Sequence, residues 1–205
     1  MAGHFEATPG GGAAVALDEV EISILRSLAV QLLELIGPGE TPADGEDPLA
    51  ALFAEGPSKP PSDPALARLF PDAYGGPDGA APEEKSEEEL RALSAEFRRF
   101  TENDLRSRKR EDALAVVRTL DALSPAGDGA AVLTLTADES RSWLGSLNDL
   151  RLTIGTRLDV SDEDEGEGEE GSLYRLPDSD PRKPMVMAYL WLGALQETLV
   201  ETLMP

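Results

Sequence analysis

The sequence predicts a mainly α, α+β domain: a bundle-like set of four long helices with a small antiparallel sheet. Three observations lead there. Apolar residues recur at helical spacing in four long stretches. Three of these stretches open on capping-box-like sequences, Asp18/Glu21, "SEEE" from Ser86 and "TADE" from Thr136. Short apolar stretches at 4–17 and 132–136 are sized for strands rather than helices.

Taken in order, "HFEAT", the turn "PGGG" and "AAVAL" predict a hairpin over 4–17, whose face can pair with "VLTLT" (Val132–Thr136). The first helix is expected from Glu19 to Ile36, with Leu25, Leu28, Leu32 and Ile36 as its stripe and Gly37-Pro38 as its stop. "DPALARLFPDAY" (Asp63–Tyr74) predicts a short helix with Asp63 as N-cap, Pro64 in the first turn and Pro71 as terminator. Tyr74 is expected to form a structural corner there, its hydroxyl bonded to a neighbour.

A long helix follows from Ser86, its period set by Leu90, Leu93, Phe97 and Phe100 and resumed by Leu114, Val117 and Leu120. Between them "TENDLRSRKRED" offers only Leu105 as an apolar residue. This polar middle is bare to solvent, kinked, or covered by something polar. In the helix opened by "TADE", Trp143, Leu147, Leu150, Ile154 and Leu158 fall on one arc, and Gly155 marks a close approach of another backbone. The last helix, from near Pro184 to Met204, is apolar nearly all round in its first half and is expected at the centre of the core.

The 205 residues are expected to form a single domain, 1–205, with disordered loops at about 37–62, 75–85 and 161–172. The last of these is the acidic run "DEDEGEGEE", which lacks the ligand spacing of a calcium loop. A formal charge of −22 disfavours direct nucleic-acid binding. Arg98, Arg99, Arg106, Arg108, Lys109 and Arg110 cluster within one helix, but acids interleave with them. The absence of cysteine removes disulfides, thiolate catalysis and Cys-ligated metals, and the single histidine, His4, lies near the terminus. No metal or cofactor is expected. Neither a secretory signal nor a membrane-length apolar run is evident, so a cytoplasmic location with no membrane association is expected.

The candidate site lies where charge meets the apolar stripes. Arg151 and Arg157 edge the stripe of the "TADE" helix, and the polar middle of the long helix supplies Arg98, Arg99, Glu102 and Arg106. With Asn148 and Asp149 these residues form one partly buried ionic network if the two helices pack together. Arginine suits such a place because its planar fork meets carboxylates bidentately. The network serves structure, a protein partner, or acid–base chemistry between carboxylates such as Glu102 and Asp149. No catalytic residue is assigned. "GPGETPADG", "GGPDGAAPEEK" and "TPGGGAAVAL" match no phosphate-binding or dinucleotide pattern, and a non-enzymatic protein is expected.

Four blocks, "DPALARLFPDAY", "EFRRFTENDLRSRK", "LNDLRLTIGTRL" and "YLWLGALQETLV", resemble an actinobacterial family of unknown function. Some of its members carry the name oxidative-stress regulator AosR, and its gene often neighbours that of the Clp adaptor ClpS. The resemblance implies a cytoplasmic regulator that senses oxidation through a cysteine pair and works with a sigma factor at promoters. This chain has no cysteine, so the thiol switch is not carried over, and no functional residue of the family transfers. The expected function is therefore regulation or adaptation through protein contact, with a sigma factor, RNA polymerase or Clp components as partner. The alternatives are an accessory role in ClpS/Clp-linked proteolysis, and an enzyme using the Arg/carboxylate cluster.

Overall fold

A computed structural model describes residues 3–37, 56–75, 86–123, 130–160 and 176–204. Five helices and a three-stranded antiparallel sheet lie among them. Most of the loops expected at 37–62, 75–85 and 161–172 fall outside the described residues.

β1 (Glu6–Ala7) turns through Thr8–Gly12 into β2 (Ala13–Asp18), which pairs along its whole length with β3 (Ala130–Leu135), Ala13 opposite Leu135 and Asp18 opposite Ala130. Alternation sends Ala13, Val15 and Leu17 of β2, and Ala131, Leu133 and Leu135 of β3, into the core. Gly12 is required where it stands, because a side chain there would meet the Leu135 carbonyl. Asp18 ends β2 and caps α1 (Glu19–Ile36): its carboxylate accepts from Glu21 N at 2.8 Å, and the Glu21 carboxylate accepts from Asp18 N at 2.9 Å. α1 buries Leu25, Ala29, Leu32 and Ile36 and stops at Gly37, which has φ +81°.

α2 (Pro64–Leu69) is capped by Asp63, which accepts from the amides of Ala65 and Leu66. Leu69 and the following Phe70 reach the core. The Tyr74 corner is held through its backbone: Tyr74 N donates to Ser94 Oγ at 3.0 Å, and that hydroxyl donates to Tyr74 O at 2.9 Å.

α3 (Glu87–Asp121) is one unbroken helix of 35 residues, about 52 Å long. Its polar middle is therefore not a break in the helix. The buried stripe of its first half runs Leu90, Ser94, Arg98, Glu102. Phe97 and Phe100, which the period assigns to the core, are exposed. The reason is what α3 meets there: the 70–74 segment presents carbonyls and a carboxylate, which polar side chains satisfy and phenyl rings cannot. In the second half Leu120 is buried and Val117 packs half-buried on the core as the period predicts, while Leu114 is exposed and Ala113 and Val116 take the buried positions beside them.

α4 (Ala137–Leu158), capped by Thr136 and Glu139, holds the centre of the domain and packs against α1, α2, α3 and the last helix, 183–203. Trp143 is fully buried, edge-on to Phe5, with its indole N–H on Thr119 Oγ1 at 2.9 Å. Gly155 accommodates an aromatic ring rather than another backbone: a methyl there would lie 3.2 Å from Tyr189 Cε2.

α5 (Lys183–Leu203) is an outer helix, in contrast to the central place its composition predicts. It buries Val186, Tyr189, Leu192, Leu195 and Leu199 against α4 and β1, and leaves Met185 and Met187 exposed. Its apolar first half thus covers α4 on one side only. No helix among the described residues is long and apolar enough to cross a membrane.

Candidate functional site

Arg98, Glu102 and Arg106 stand one turn apart on α3, a spacing that stacks them on one face. Glu102 is 3% exposed and receives both neighbours, Arg98 Nη1 on Oε2 and Arg106 Nη2 on Oε1 at 2.7 Å. Arg98, 4% exposed, also donates from Nη2 to Phe70 O at 3.0 Å and Asp72 Oδ1 at 2.8 Å. Burial works against the Arg98 charge, but hydrogen bonds to Asp72 and Glu102, and their charges, outweigh it and hold its pKa above the ordinary value. Two arginines thus face two carboxylates, and the buried cluster is neutral in sum.

The same face continues into the end of α1. Arg106 lies over the Phe70 ring, 4.4 Å from its centroid, and donates to Ile36 O. Arg110 donates to Leu33 O at 3.2 Å and to Gly37 O. The last turn of α1 carries no basic residue of its own, so arginines from α3 satisfy its terminal carbonyls.

Asp149 on α4 joins a second cluster. Lys109 Nζ donates to its Oδ1 at 2.6 Å across the α3–α4 contact. Burial pushes the Asp149 carboxyl pKa up, against the hydrogen bond and charge of Lys109 and a hydrogen bond from Asn148. Asp112 stands beside it, and its pKa is also raised, first by burial and further by the Asp149 charge, against a hydrogen bond from Ser142. Gly145 makes the room: a methyl there would lie 2.7 Å from Asp112 Oδ2.

Arg151 and Arg157 serve two further seams. Arg151 turns to α5, stacking 5.1 Å from the Tyr189 centroid and donating to Gln196 Oε1 at 3.0 Å. Arg157 donates to Asp63 Oδ2 at 2.7 Å, so the cap of α2 is also its ion-pair partner. The Arg157 hydrogen bond, joined by the Leu66 amide, holds the Asp63 carboxyl pKa below its usual range.

The single network expected from the sequence is therefore divided. Arg98, Glu102 and Arg106 are brought together; Asp149 sits with Lys109, flanked by exposed Asn148; Arg151 and Arg157 stand apart from both. Arg99 lies outside the cluster, its guanidinium 5.9 Å from the Phe100 ring centroid. The sequence reading missed Asp72, Asp63, Lys109 and Arg110 as the partners that close these seams. Asp63 carries a signal, since an N-cap carboxylate has a second oxygen free to pair. The carbonyls of Leu33, Ile36 and Phe70 carry none.

Chemically, the arrangement joins α1, α2, α4 and α5 to their neighbours, with its cations engaged by internal acceptors. Among the described residues no group of His, Cys, Asp and Glu has the arrangement of a metal site.

A family model described as a domain of unknown function, DUF2017, matches residues 2–203. The chain is 32% identical over 186 residues to a Mycobacterium leprae protein named as oxidative stress regulator AosR, covering 90% of this chain and 79% of that one. It is 29% identical, over 90% of this chain and 78% of the relative, to the oxidative stress regulator AosR of Mycobacterium tuberculosis. No solved structure matches.

Proposed function

Because this chain belongs to the DUF2017 family, whose relatives include proteins named oxidative stress regulator, we propose that it is a regulator of the oxidative-stress response acting by protein contact and not by catalysis. A regulatory role follows from the relatives' names. The mode of action is our reading of the surface. The observation that carries it is the outward face of α3, where Phe97 is 49% and Phe100 is 65% exposed. The Tyr74 ring meets Phe97 edge-on. Aromatic side chains flanked by arginine are the residue types that anchor protein interfaces. The buried charges behind them, Arg98 and Glu102, hold this face in place by packing the helix down.

The favoured partner is a sigma factor or RNA polymerase. A chain of charge −22 reaches a promoter more readily through a bound protein than through phosphates. These 205 residues contain no cysteine, so they offer no thiol–disulfide switch of their own.

Affinity capture from the source cells, comparing the wild type with a Phe97→Ala/Phe100→Ala variant, tests the reading. Sigma factor or polymerase subunits captured by the wild type and lost in a variant of unchanged melting temperature support it. Clp components in their place move the function to proteolysis. Identical capture by both proteins removes the α3 face as the contact.

A further inference from the structure

Sulfur in this chain is confined to four methionines, Met1, Met185, Met187 and Met204, and its placement is unusual. Methionine is ordinarily an adaptable core filler. Here no buried apolar side chain among the described residues is a methionine. Met185, Met187 and Met204 are 43%, 57% and 68% exposed. Met204 lies at the end of α5, whereas Met185 and Met187 bracket buried Val186 in the first turn of that helix. Those two thioethers are therefore presented to solvent from an anchored turn.

We propose that Met185 and Met187 are an oxidant-responsive site, converted to sulfoxides by a peroxide while the fold stays intact; their role as a signal rests on the regulatory reading above. In the step a thioether lone pair attacks a peroxide oxygen. The S–O bond forms as the O–O bond breaks, sulfur gives up two electrons, and the departing hydroxide takes the proton carried by the transferred oxygen, leaving the sulfoxide and water. Methionine sulfoxide reductases reverse the change, which gives the site a return path.

The product is a polar, chiral group in place of a flexible apolar one. In a core this would disrupt packing. At Met185 and Met187 the new oxygen is solvated, so the core keeps its contacts and the first turn of α5 changes from apolar to polar. Met185 also shares a helix face with Tyr189, one turn on, whose ring carries Arg151. Oxidation there acts beside the α4–α5 contact. Exposed methionine is a surface that adapts to partners, and a sulfoxide removes that property.

The test begins with the purified full-length chain titrated with hydrogen peroxide, using N-acetylmethionine amide as the reference for reactivity. Peptide mass spectrometry should find one added oxygen on each of Met185 and Met187, at rates within several-fold of the reference. The melting temperature should move by less than about 4 °C, as for a surface change. Much slower oxidation at both positions, or unfolding that accompanies it, overturns the site.

In the source cells, a deletion strain and a strain carrying Met185→Leu/Met187→Leu are then compared for gene induction by peroxide. Met→Leu conserves volume, so the variant should fold. A deletion that leaves induction unchanged overturns the regulatory reading. A deletion that alters induction while the double variant behaves as wild type overturns the methionine site alone. Altered induction in both supports the proposal.

Discussion

Glu102→Gln is the sharpest test of the buried cluster on α3. The amide is nearly isosteric with the carboxylate, so packing is preserved and the change is one of charge and donor–acceptor matching. In the wild type, Oε2 accepts from Arg98 and Oε1 from Arg106. Glutamine keeps one acceptor and sets an NH2 group against a guanidinium donor. Breaking a buried ion pair by removing one member costs roughly 3–5 kcal/mol. Arg98 retains Asp72 and the Phe70 carbonyl, and Arg106 is partly exposed, which places the loss near the lower end. For a domain of this size, where each kcal/mol shifts the melting temperature by roughly 2–4 °C, the drop is about 6–12 °C. Scanning calorimetry at low and high salt measures it, and the drop should persist in salt because the pair is shielded from solvent. Replacing Arg98 and Glu102 together by Met and Leu should not recover the loss, because it leaves the Phe70 carbonyl, Asp72 and Arg106 without their partners. A melting temperature unchanged by Glu102→Gln would show that the Glu102 charge contributes nothing to stability.

Arg157→Ala removes the half-exposed partner of Asp63 and should cost at most about 1 kcal/mol, with salt erasing the difference; a loss as large as that of Glu102→Gln would refute the contrast drawn between the seams. Burial raises the folded-state pKa values of Asp112 and Asp149 above the ordinary aspartate value, so the stability tied to their protons is fully present below that ordinary value and is lost as pH rises through their folded values. Asp112→Asn should therefore melt higher than wild type at neutral pH, and the gap should close below 3.8; a variant that melts lower at pH 7 would reverse the sign. Gly155→Ala gains helix propensity, about 1 kcal/mol, but sets a methyl 3.2 Å from Tyr189 Cε2. Crowding of that kind costs about 1–3 kcal/mol, so a net loss is expected in chemical denaturation, and a clear gain would show that the ring moves aside.

Where structure is encoded by side chains close in sequence, the sequence was readable. Asp18/Glu21, Ser86/Glu89 and Thr136/Glu139 each form the capping box their spacing predicts, and the hairpin pairs with the strand before α4. The failure on α3 has a physical cause. Along α3, periodicity selects Phe97 and Phe100, yet Arg98 and Glu102 turn inward. What decides the matter is the acceptor set brought up by other segments, the carbonyls of Ile36 and Phe70 and the carboxylate of Asp72. Every residue has a carbonyl, so such a partner leaves no mark in a hydropathy pattern. Gly155 failed likewise: the glycine announces that something is close, but not that it is the Tyr189 ring. The candidate site was legible as a set of charged residues and illegible as a set of pairs.

The end of α1 has a consequence for how the chain becomes ordered. Its final carbonyls, Leu33 and Ile36 with Gly37, are held by Arg106 and Arg110, 70 or more residues later in the chain. During synthesis the last turn of α1 lacks these donors until that part of α3 has emerged, so the first helix is completed by the third. Opening should follow the same coupling: amide exchange at Leu35, Ile36 and Gly37 tracks the opening of α3 instead of fraying by itself. Two helices distant in sequence thereby form a single cooperative unit.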